Sequence, residues 1–233
     1  MFKISPTYPI IMTLLLVPGI SSATGNMDSL EQTHRTMKQS IMDCSQHRDL
    51  ERTITGCTTI INSAIMNKEF KSLAFINRGN VHNEKARFDK AILDYSGAIE
   101  LNPHSVSAYF NRGNAYRKKG QQDRAILDYR KVVQFGKYLP SAYNNTGLSL
   151  QLKGQLDEAI LNFRKAIEID PNYARAYNNR GHIYEVRGQN NLALSDYTNA
   201  INIDPEFLPS LHNRANLFEK IGQKQKAVTD YLK

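Results

Sequence analysis

The segment Asn111–Gly120, NRGNAYRKKG, is rich in side chains that could bind a ligand. Arginine and lysine donate hydrogen bonds to carboxylates and phosphates, and an asparagine carboxamide offers a donor and an acceptor that suit the backbone of an extended peptide. The triplet Asn-Arg-Gly in this segment also occurs elsewhere in the chain. These side chains therefore either bind a ligand or hold a repeated structure together.

The sequence contains few residue patterns that are typical of catalytic sites. The sequence has no glycine-rich phosphate loop and no Gly-x-Ser-x-Gly nucleophile turn. The histidines share no metal-ligand spacing; they are His34, His47, His82, His104, His182 and His212. We therefore expect a protein that is not an enzyme and that needs neither a cofactor nor a metal.

A period of 34 residues organises the chain. The triplet begins at Asn77, Asn111 and Asn179, and returns as Asn-Thr-Gly at Asn145 and as Asn-Arg-Ala at Asn213. Each triplet is followed at a constant distance by an alanine and then an aromatic residue: Ala91 and Tyr95, Ala125 and Tyr129, Ala159 and Phe163, Ala193 and Tyr197, Ala227 and Tyr231. We number each repeat so that the triplet occupies positions 6 to 8, the alanine position 20 and the aromatic residue position 24.

The pattern resembles the tetratricopeptide repeat family over roughly residues 70–233. The fourth repeat carries every residue typical of that family: Tyr177, Gly181, Tyr184, Ala193, Tyr197, Ala200 and Pro205. The second repeat departs from it at Val132 and Lys137 and the third at Leu150, which should change local packing only. The resemblance implies an all-α fold, a right-handed superhelix (α-solenoid) of antiparallel helix pairs whose first helices line a concave groove.

The period also sets the domain boundaries. We expect a signal peptide at 1–23, a lead-in at 24–48, a capping helix or half repeat at 49–69, and tetratricopeptide repeats at 70–105, 106–139, 140–173, 174–207 and, incomplete, 208–233. The last repeat has no helix after it to cover its apolar face. Either the array continues in a longer protein, or another molecule, such as a second copy, covers that face.

The first residues have the pattern of a secretory signal. Lys3 supplies a positive charge, an apolar run follows at Ile10–Ile20, and Ser21, Ser22 and Ala23 are the small residues that a signal peptidase needs. A membrane anchor is the alternative, but this run is shorter than the ~20 residues that cross a bilayer. We expect cleavage near Ala23 and an exported protein, periplasmic or secreted, with no transmembrane span.

Export gives the two cysteines, Cys44 and Cys57, a role. An oxidising compartment favours a disulfide between them, which would contribute ~3 kcal/mol in the chain-entropy model. If Asp49 caps a helix, a second helix folding back from the same turn would leave Cys44 too near that turn. We therefore predict the disulfide together with a non-helical path from Cys44 to Arg48.

Charged residues at positions 7 and 23 indicate a structural role within each repeat. In an antiparallel pair these positions lie level, and the one repeat without the arginine is also without the aspartate. We predict four ion pairs, Arg78–Asp94, Arg112–Asp128, Arg180–Asp196 and Arg214–Asp230, with Thr146–Asn162 as an uncharged substitute. Removal of one partner of such a pair would cost ~3–5 kcal/mol.

Asparagines are the candidate binding residues. Position 6 faces the groove in this family, and carboxamides there could hold a peptide backbone; the alternative is that they are only solvated. The candidates at positions 6 and 9 are Asn77, Asn80, Asn111, Asn114, Asn145, Asn179, Asn213 and Asn216. Family members that hold chaperone C-termini have lysine at position 5, whereas this chain has Ile76, Phe110, Asn144, Asn178 and His212. We therefore expect no chaperone-tail binding.

A basic patch in the second repeat comprises Arg117, Lys118, Lys119 and Arg124, in a chain with a formal net charge of +8. A solvated face, an acidic partner and a nucleic acid are three explanations for it. Nucleic acid is the least favoured, since no stacking aromatic residues alternate with the charges and no nucleic-acid module is present.

These features predict a non-catalytic scaffold that binds another protein or an extended peptide in the concave groove, outside the cytoplasm. The alternative is a regulatory or structural arm of a larger assembly or of an enzyme truncated at Lys233, assembling through the C-terminal repeat. Fold alone does not identify the partner.

Overall fold

The computed structural model describes residues 24–46, 49–136 and 139–233, with the backbone alone for residues 24–30. Within these ranges all regular structure is α-helical. Residues Ser40–Lys233 form one compact unit, and the described residues before Ser40 form another. The predicted signal peptide at 1–23 and Lys137 lie outside the described residues.

Twelve helices are seen in this part of the chain. They are α1 (Thr24–Gln46), α2 (Leu50–Asn62), α3 (Lys68–Glu84), α4 (Phe88–Leu101), α5 (Val106–Lys118), α6 (Gln122–Gly136), α7 (Pro140–Leu152), α8 (Leu156–Ile169), α9 (Ala174–Val186), α10 (Asn190–Ile203), α11 (Leu208–Lys220) and α12 (Lys224–Tyr231). Helices α3 to α12 form five pairs, one for each repeat.

Short turns at position 15 join the two helices of a pair. In four repeats this residue is a glycine with φ between 71° and 81°, a left-handed conformation that glycine adopts without a Cβ penalty. The glycines are Gly120, Gly154, Gly188 and Gly222. The first repeat has Ala86 in the same turn, at φ 54°.

Close approach within the first four pairs depends on the glycine at position 8, which is Ala215 in the fifth repeat. A Cβ atom on Gly113 would lie 2.8 Å from Cε1 of Tyr129, so the aromatic ring occupies the space that a side chain would need. Gly79, Gly147 and Gly181 meet the position-24 ring of their own repeat in the same way. The aromatic residues thus become the largest fully buried side chains of the core.

The order of contacts identifies the inner side of the array. From α2 onward consecutive helices pack against each other, and each first helix also contacts the first helix of the next pair: α3 with α5, α5 with α7, α7 with α9 and α9 with α11. No such contact joins the second helices of successive pairs among the described residues. First helices that lie closer together than second helices line the inner side of a curved stack. We call their solvent-facing side the inner surface.

The disulfide between Cys44 and Cys57 is present, but the predicted non-helical path is wrong for residues 44–46, which lie in α1. The end of that path at Arg48 lies outside the described residues. The Cα atoms of the two cysteines are 4.7 Å apart. Gly56 explains why two helices can lie so close together. A Cβ atom at this position would lie 2.6 Å from the Ser40 carbonyl oxygen, and because glycine has none, the backbones of α1 and α2 can approach. Only three residues separate α1 from α2.

The capping helix is shorter than the predicted 49–69. Asp49 accepts hydrogen bonds from the backbone N–H groups of Glu51 and Arg52 and so caps α2 as expected, but α2 ends at Asn62. Asn67 then accepts from the Phe70 N–H and starts α3, the first helix of the first repeat. The apolar residues in between belong to a turn, with Met66 buried.

Candidate functional site

The four position-7 arginines form the predicted ion pairs between the two helices of their repeats. Arg112 donates from Nε to Asp128 Oδ2 and from Nη2 to Asp128 Oδ1, both at 2.8 Å. Burial alone would lower the pKa of Arg112, but the hydrogen bond and the charge of Asp128 raise it above its ordinary value. The same two bonds join Arg78 to Asp94, Arg180 to Asp196 and Arg214 to Asp230.

Each arginine also touches a third helix or an aromatic ring. The Arg112 guanidinium lies 5.5 Å from the ring centroid of Tyr109 and 5.8 Å from that of Tyr116. Its Nη1 donates to Ser96 Oγ of the preceding repeat at 3.0 Å. The arginine of Asn111–Gly120 therefore joins α4, α5 and α6, and its donors are directed into the protein.

The predicted bond between Thr146 and Asn162 is wrong. Thr146 Oγ1 donates to the Ala142 carbonyl, and Asn162 Nδ2 donates to the Glu158 carbonyl, both at 2.8 Å. Each side chain is bonded to its own helix one turn earlier, since neither is long enough to reach across the pair as an arginine does.

The position-6 asparagines form a chain of hydrogen bonds that we call the asparagine spine. In each case Nδ2 donates to an oxygen atom of an earlier helix at 2.9–3.2 Å. The donor and acceptor pairs are Asn77 with the Cys44 carbonyl, Asn111 with Asn80, Asn145 with Asn114, Asn179 with Asn144, and Asn213 with Asn178. The spine thus binds the first helices to one another, a role that neither sequence-based interpretation included.

The acceptor of the spine changes position along the array. Asn80 and Asn114, at position 9, also accept the hydroxyl of Tyr95 and of Tyr129. The third and fourth repeats have Leu148 and His182 at position 9, and their acceptors are Asn144 and Asn178 at position 5. Neither Asn144 nor Asn178 was predicted as a partner of the spine, although position 5 is asparagine only in the repeats where position 9 is not.

Buried tyrosine hydroxyls support the spine as donors. Burial raises the pKa of Tyr129 to about 12, so the hydroxyl keeps its proton at any neutral pH and can donate to Asn114. The third repeat has Phe163 at position 24 and so has no such donor.

Family models match most of the repeats that these contacts define. A model described as "TPR repeat" matches residues 79–120 and 149–185, and one described as "Tetratricopeptide repeat" matches residues 106–135 and 174–207. The matched segments of the chain are tetratricopeptide repeats. No curated protein matches it in sequence.

Solved structures have the same fold, among them MamA and two proteins described as tetratricopeptide repeat proteins. The chain is 26% identical to MamA, with a TM-score of 0.58 over 66% of this chain and 90% of MamA. It is 22% identical to the TPR protein YrrB, with a TM-score of 0.53 over 68% of this chain and 82% of that one. It is 18% identical to a tetratricopeptide repeat protein from Parabacteroides merdae, with a TM-score of 0.70 over 85% of this chain and 77% of that one.

The cations of the predicted basic patch have separate environments in these tetratricopeptide repeats. Lys119 forms an ion pair with Asp89 of the preceding repeat. Arg124 donates to Gln121 Oε1 at 3.2 Å. Lys118 is exposed at the end of α5, and Arg117 is half-buried before it.

The ion pair of Lys119 recurs between other repeats. Position 14 carries a cation in four repeats, and each one pairs with a carboxylate of an earlier helix: Lys85 with Glu51, Lys119 with Asp89, Lys153 with Asp123 and Arg187 with Asp157. These cations tie neighbouring units together, which leaves Arg117 and Lys118 as the candidates for an external partner.

Metal-binding clusters are absent from residues 24–46, 49–136 and 139–233. No group of three histidine, cysteine or acidic side chains there could hold a metal ion. None of the helices described combines the length and apolar composition needed to cross a membrane. His82 is buried at position 11, and burial lowers its pKa in spite of the attraction of Asp94.

Proposed function

We propose that this protein is a non-catalytic scaffold that binds an extended segment of another polypeptide on its inner surface. The asparagine spine is the observation that carries the proposal. It uses one N–H of each position-6 carboxamide, and an NH₂ group has two. All five position-6 asparagines are only partly buried, so the second N–H of each can serve a bound peptide backbone.

The rigidity of the surface favours binding. Spine, ion pairs and packed rings hold the first helices in place before a partner arrives, so that little further ordering of the scaffold is needed on binding. The neighbour YrrB is described as having an unusual peptide-binding site, and the inner surface is where we place such a site in this chain.

Export is a further part of the proposal. The sequence of residues 1–23 has the signal pattern, and a disulfide is expected where the compartment is oxidising. Mass spectrometry of the protein from a periplasmic or culture-medium fraction should find an N-terminus near residue 24 and both thiols blocked. An intact N-terminus and free thiols in cytosolic protein would contradict export.

Site-specific photocrosslinking tests partner binding. A photoreactive residue at Ser107, exposed on the first helix α5, should capture a partner polypeptide in cells, identified by mass spectrometry. The matched control places the same residue at Leu127, exposed on the second helix α6, where we expect no such product. Equal capture at the two sites, or none at Ser107, would reject the inner surface as the binding face.

A further inference from the structure

The last residues of the five first helices form a row along the inner surface. All lie at position 13 and are exposed, and we call them the end row: Glu84, Lys118, Leu152, Val186 and Lys220. The row is neither uniformly polar nor uniformly apolar. Its composition changes from charged in the first two repeats to apolar in the next two.

Lys118 and the adjacent Arg117 make one part of the row positive. The Lys118 ammonium lies 5.5 Å from the ring centroid of Phe88, and Arg117 Nε is buried without a hydrogen-bond partner. No carboxylate in the described part of the chain forms an ion pair with either residue, in contrast to the neighbouring Lys119. A carboxylate of a partner would therefore meet the exposed Lys118 beside the half-buried Arg117, and neither cation has an ion-pair partner of its own among the described residues.

Leu152 and Val186 make the adjoining part of the row apolar. Their side chains are 65% and 63% exposed, and they end α7 and α9, which pack against each other. A hydrogen bond of 3.0 Å between Gln151 and His182 joins the two helices just beside them. Two exposed apolar residues on adjacent helices are a site where an apolar side chain could be removed from water.

The change of spine acceptor makes the surface of the third repeat, around Leu152, more apolar. In the first two repeats position 9 must be asparagine to accept from the next repeat. In the third repeat Asn144 at position 5 takes that role, and position 9 is Leu148, which packs on the buried cluster around Phe163. The surface next to Leu152 is thereby less polar than the equivalent surface beside Lys118.

The spacing of the row fits an extended chain. Packed helices lie roughly 10 Å apart, and three residues of an extended chain advance ~10 Å. In a polyproline II conformation every third side chain also points the same way. One partner side chain per repeat, at intervals of three residues, would therefore follow the row.

We propose that the end row recognises an extended segment with an acidic side chain opposite Arg117 and Lys118, followed at three-residue intervals by apolar side chains opposite Leu152 and Val186. This rests on the proposed function, and it specifies the class of partner. The net charge of +8 is in keeping with an acidic partner.

Selection from a random peptide library displayed on phage tests the proposal, with peptides of about twelve residues, which span ~40 Å when extended. Peptides selected by the full chain should be enriched in acidic residues with apolar residues three and six positions away, relative to the unselected library. Lys118→Glu should replace that acidic preference by a basic one. Lys90→Glu, at an exposed lysine of α4, should leave the preference unchanged.

The apolar part is tested with one of the selected peptides, synthesised with a fluorophore. Leu152→Asn should weaken its binding about tenfold, which corresponds to ~1.4 kcal/mol, whereas Leu93→Asn on α4 should have no effect. Circular dichroism checks that the variants are folded.

The outcomes separate this inference from the proposed function. The proposal for the end row would be wrong if the selected peptides lacked the acidic and apolar spacing, or if Lys118→Glu and Leu152→Asn left binding unchanged. The proposal of a peptide-binding scaffold would still stand. If no peptide were enriched at all, both proposals would fall.

Discussion

The third repeat and its neighbours solve the same packing problem with different chemistry. In the second and fourth repeats a buried ion pair joins the two helices. The third repeat has Thr146 and Asn162 in those places, each bonded to its own helix. Its pair is nevertheless packed as closely, since a Cβ atom on Gly147 would lie 2.6 Å from Phe163.

This difference teaches that apolar packing is sufficient to form a helix pair in this array. The third repeat instead contributes to a cluster of Ile126, Leu150, Ala159, Phe163 and Ile183, which joins three successive repeats. A buried ion pair is weak evidence for net stability, because desolvation of the charges offsets their attraction. We infer that the arginines fix the alignment of the two helices of a pair, because a misaligned pair would leave a buried charge without its partner.

Removal of one member of an ion pair should have the largest effect. Arg112→Thr leaves the Asp128 carboxylate buried and unpaired, and we expect the free energy of unfolding to fall by ~3–5 kcal/mol. Urea denaturation followed by circular dichroism measures this. The double variant Arg112→Thr with Asp128→Asn, which copies the third repeat, should recover most of the loss. A double variant as unstable as the single one would show that the third repeat is not an equivalent solution.

High pH should lower the stability contributed by repeats with a buried tyrosine, but not that contributed by the third repeat. Because the pKa of Tyr129 is raised to about 12, above that of an unfolded tyrosine, its contribution is present below pH ~10 and is lost as the pH rises towards 12. The loss should be on the order of 2 kcal/mol at the top of this range. Tyr129→Phe should flatten that part of the stability profile in urea titrations, while Phe163 makes no such contribution to the third repeat.

Interruption of the asparagine spine should have an intermediate effect. Asn145→Ala removes the bond to Asn114 at the junction of the second and third repeats, and we expect a loss of ~1–2 kcal/mol. The control Asn199→Ala, exposed on α10, should stay within about 0.5 kcal/mol of the parent in the same denaturation experiment. Equal losses would mean that the spine adds nothing to stability.

The smallest effect should come from the turn of the first repeat. Ala86 adopts the left-handed conformation that glycine takes in the four other repeats. Ala86→Gly should therefore raise the free energy of unfolding by about 0.5–1 kcal/mol. This is the backbone strain that the change relieves, minus the cost of the larger conformational entropy that glycine has in the unfolded chain. The reverse change, Gly120→Ala, should lower it by a similar amount, and calorimetry can compare the two.

The repeat pattern made the helix pairs and the ion pairs predictable, because both depend on residues that recur at one period and lie level in an antiparallel pair. Arg112 could thus be assigned to Asp128 from their positions alone. The acceptors of the spine could not, since Asn114 and Asn144 occupy different positions and the choice depends on which one the next helix approaches. The helical state of Cys44 was missed because it depends on the close approach at Gly56.

The spine starts at the backbone carbonyl of Cys44, which accepts from Asn77 at 3.2 Å. The cysteine that is covalently tied to α2 is thus also the first hydrogen-bond acceptor of the series. Reduction of the disulfide would remove the covalent link that holds Cys44 against α2. Any resulting movement of α1 would first weaken the hydrogen bond from Asn77 to the Cys44 carbonyl. We therefore expect the redox state of this disulfide to affect the order of the inner surface at the first repeat.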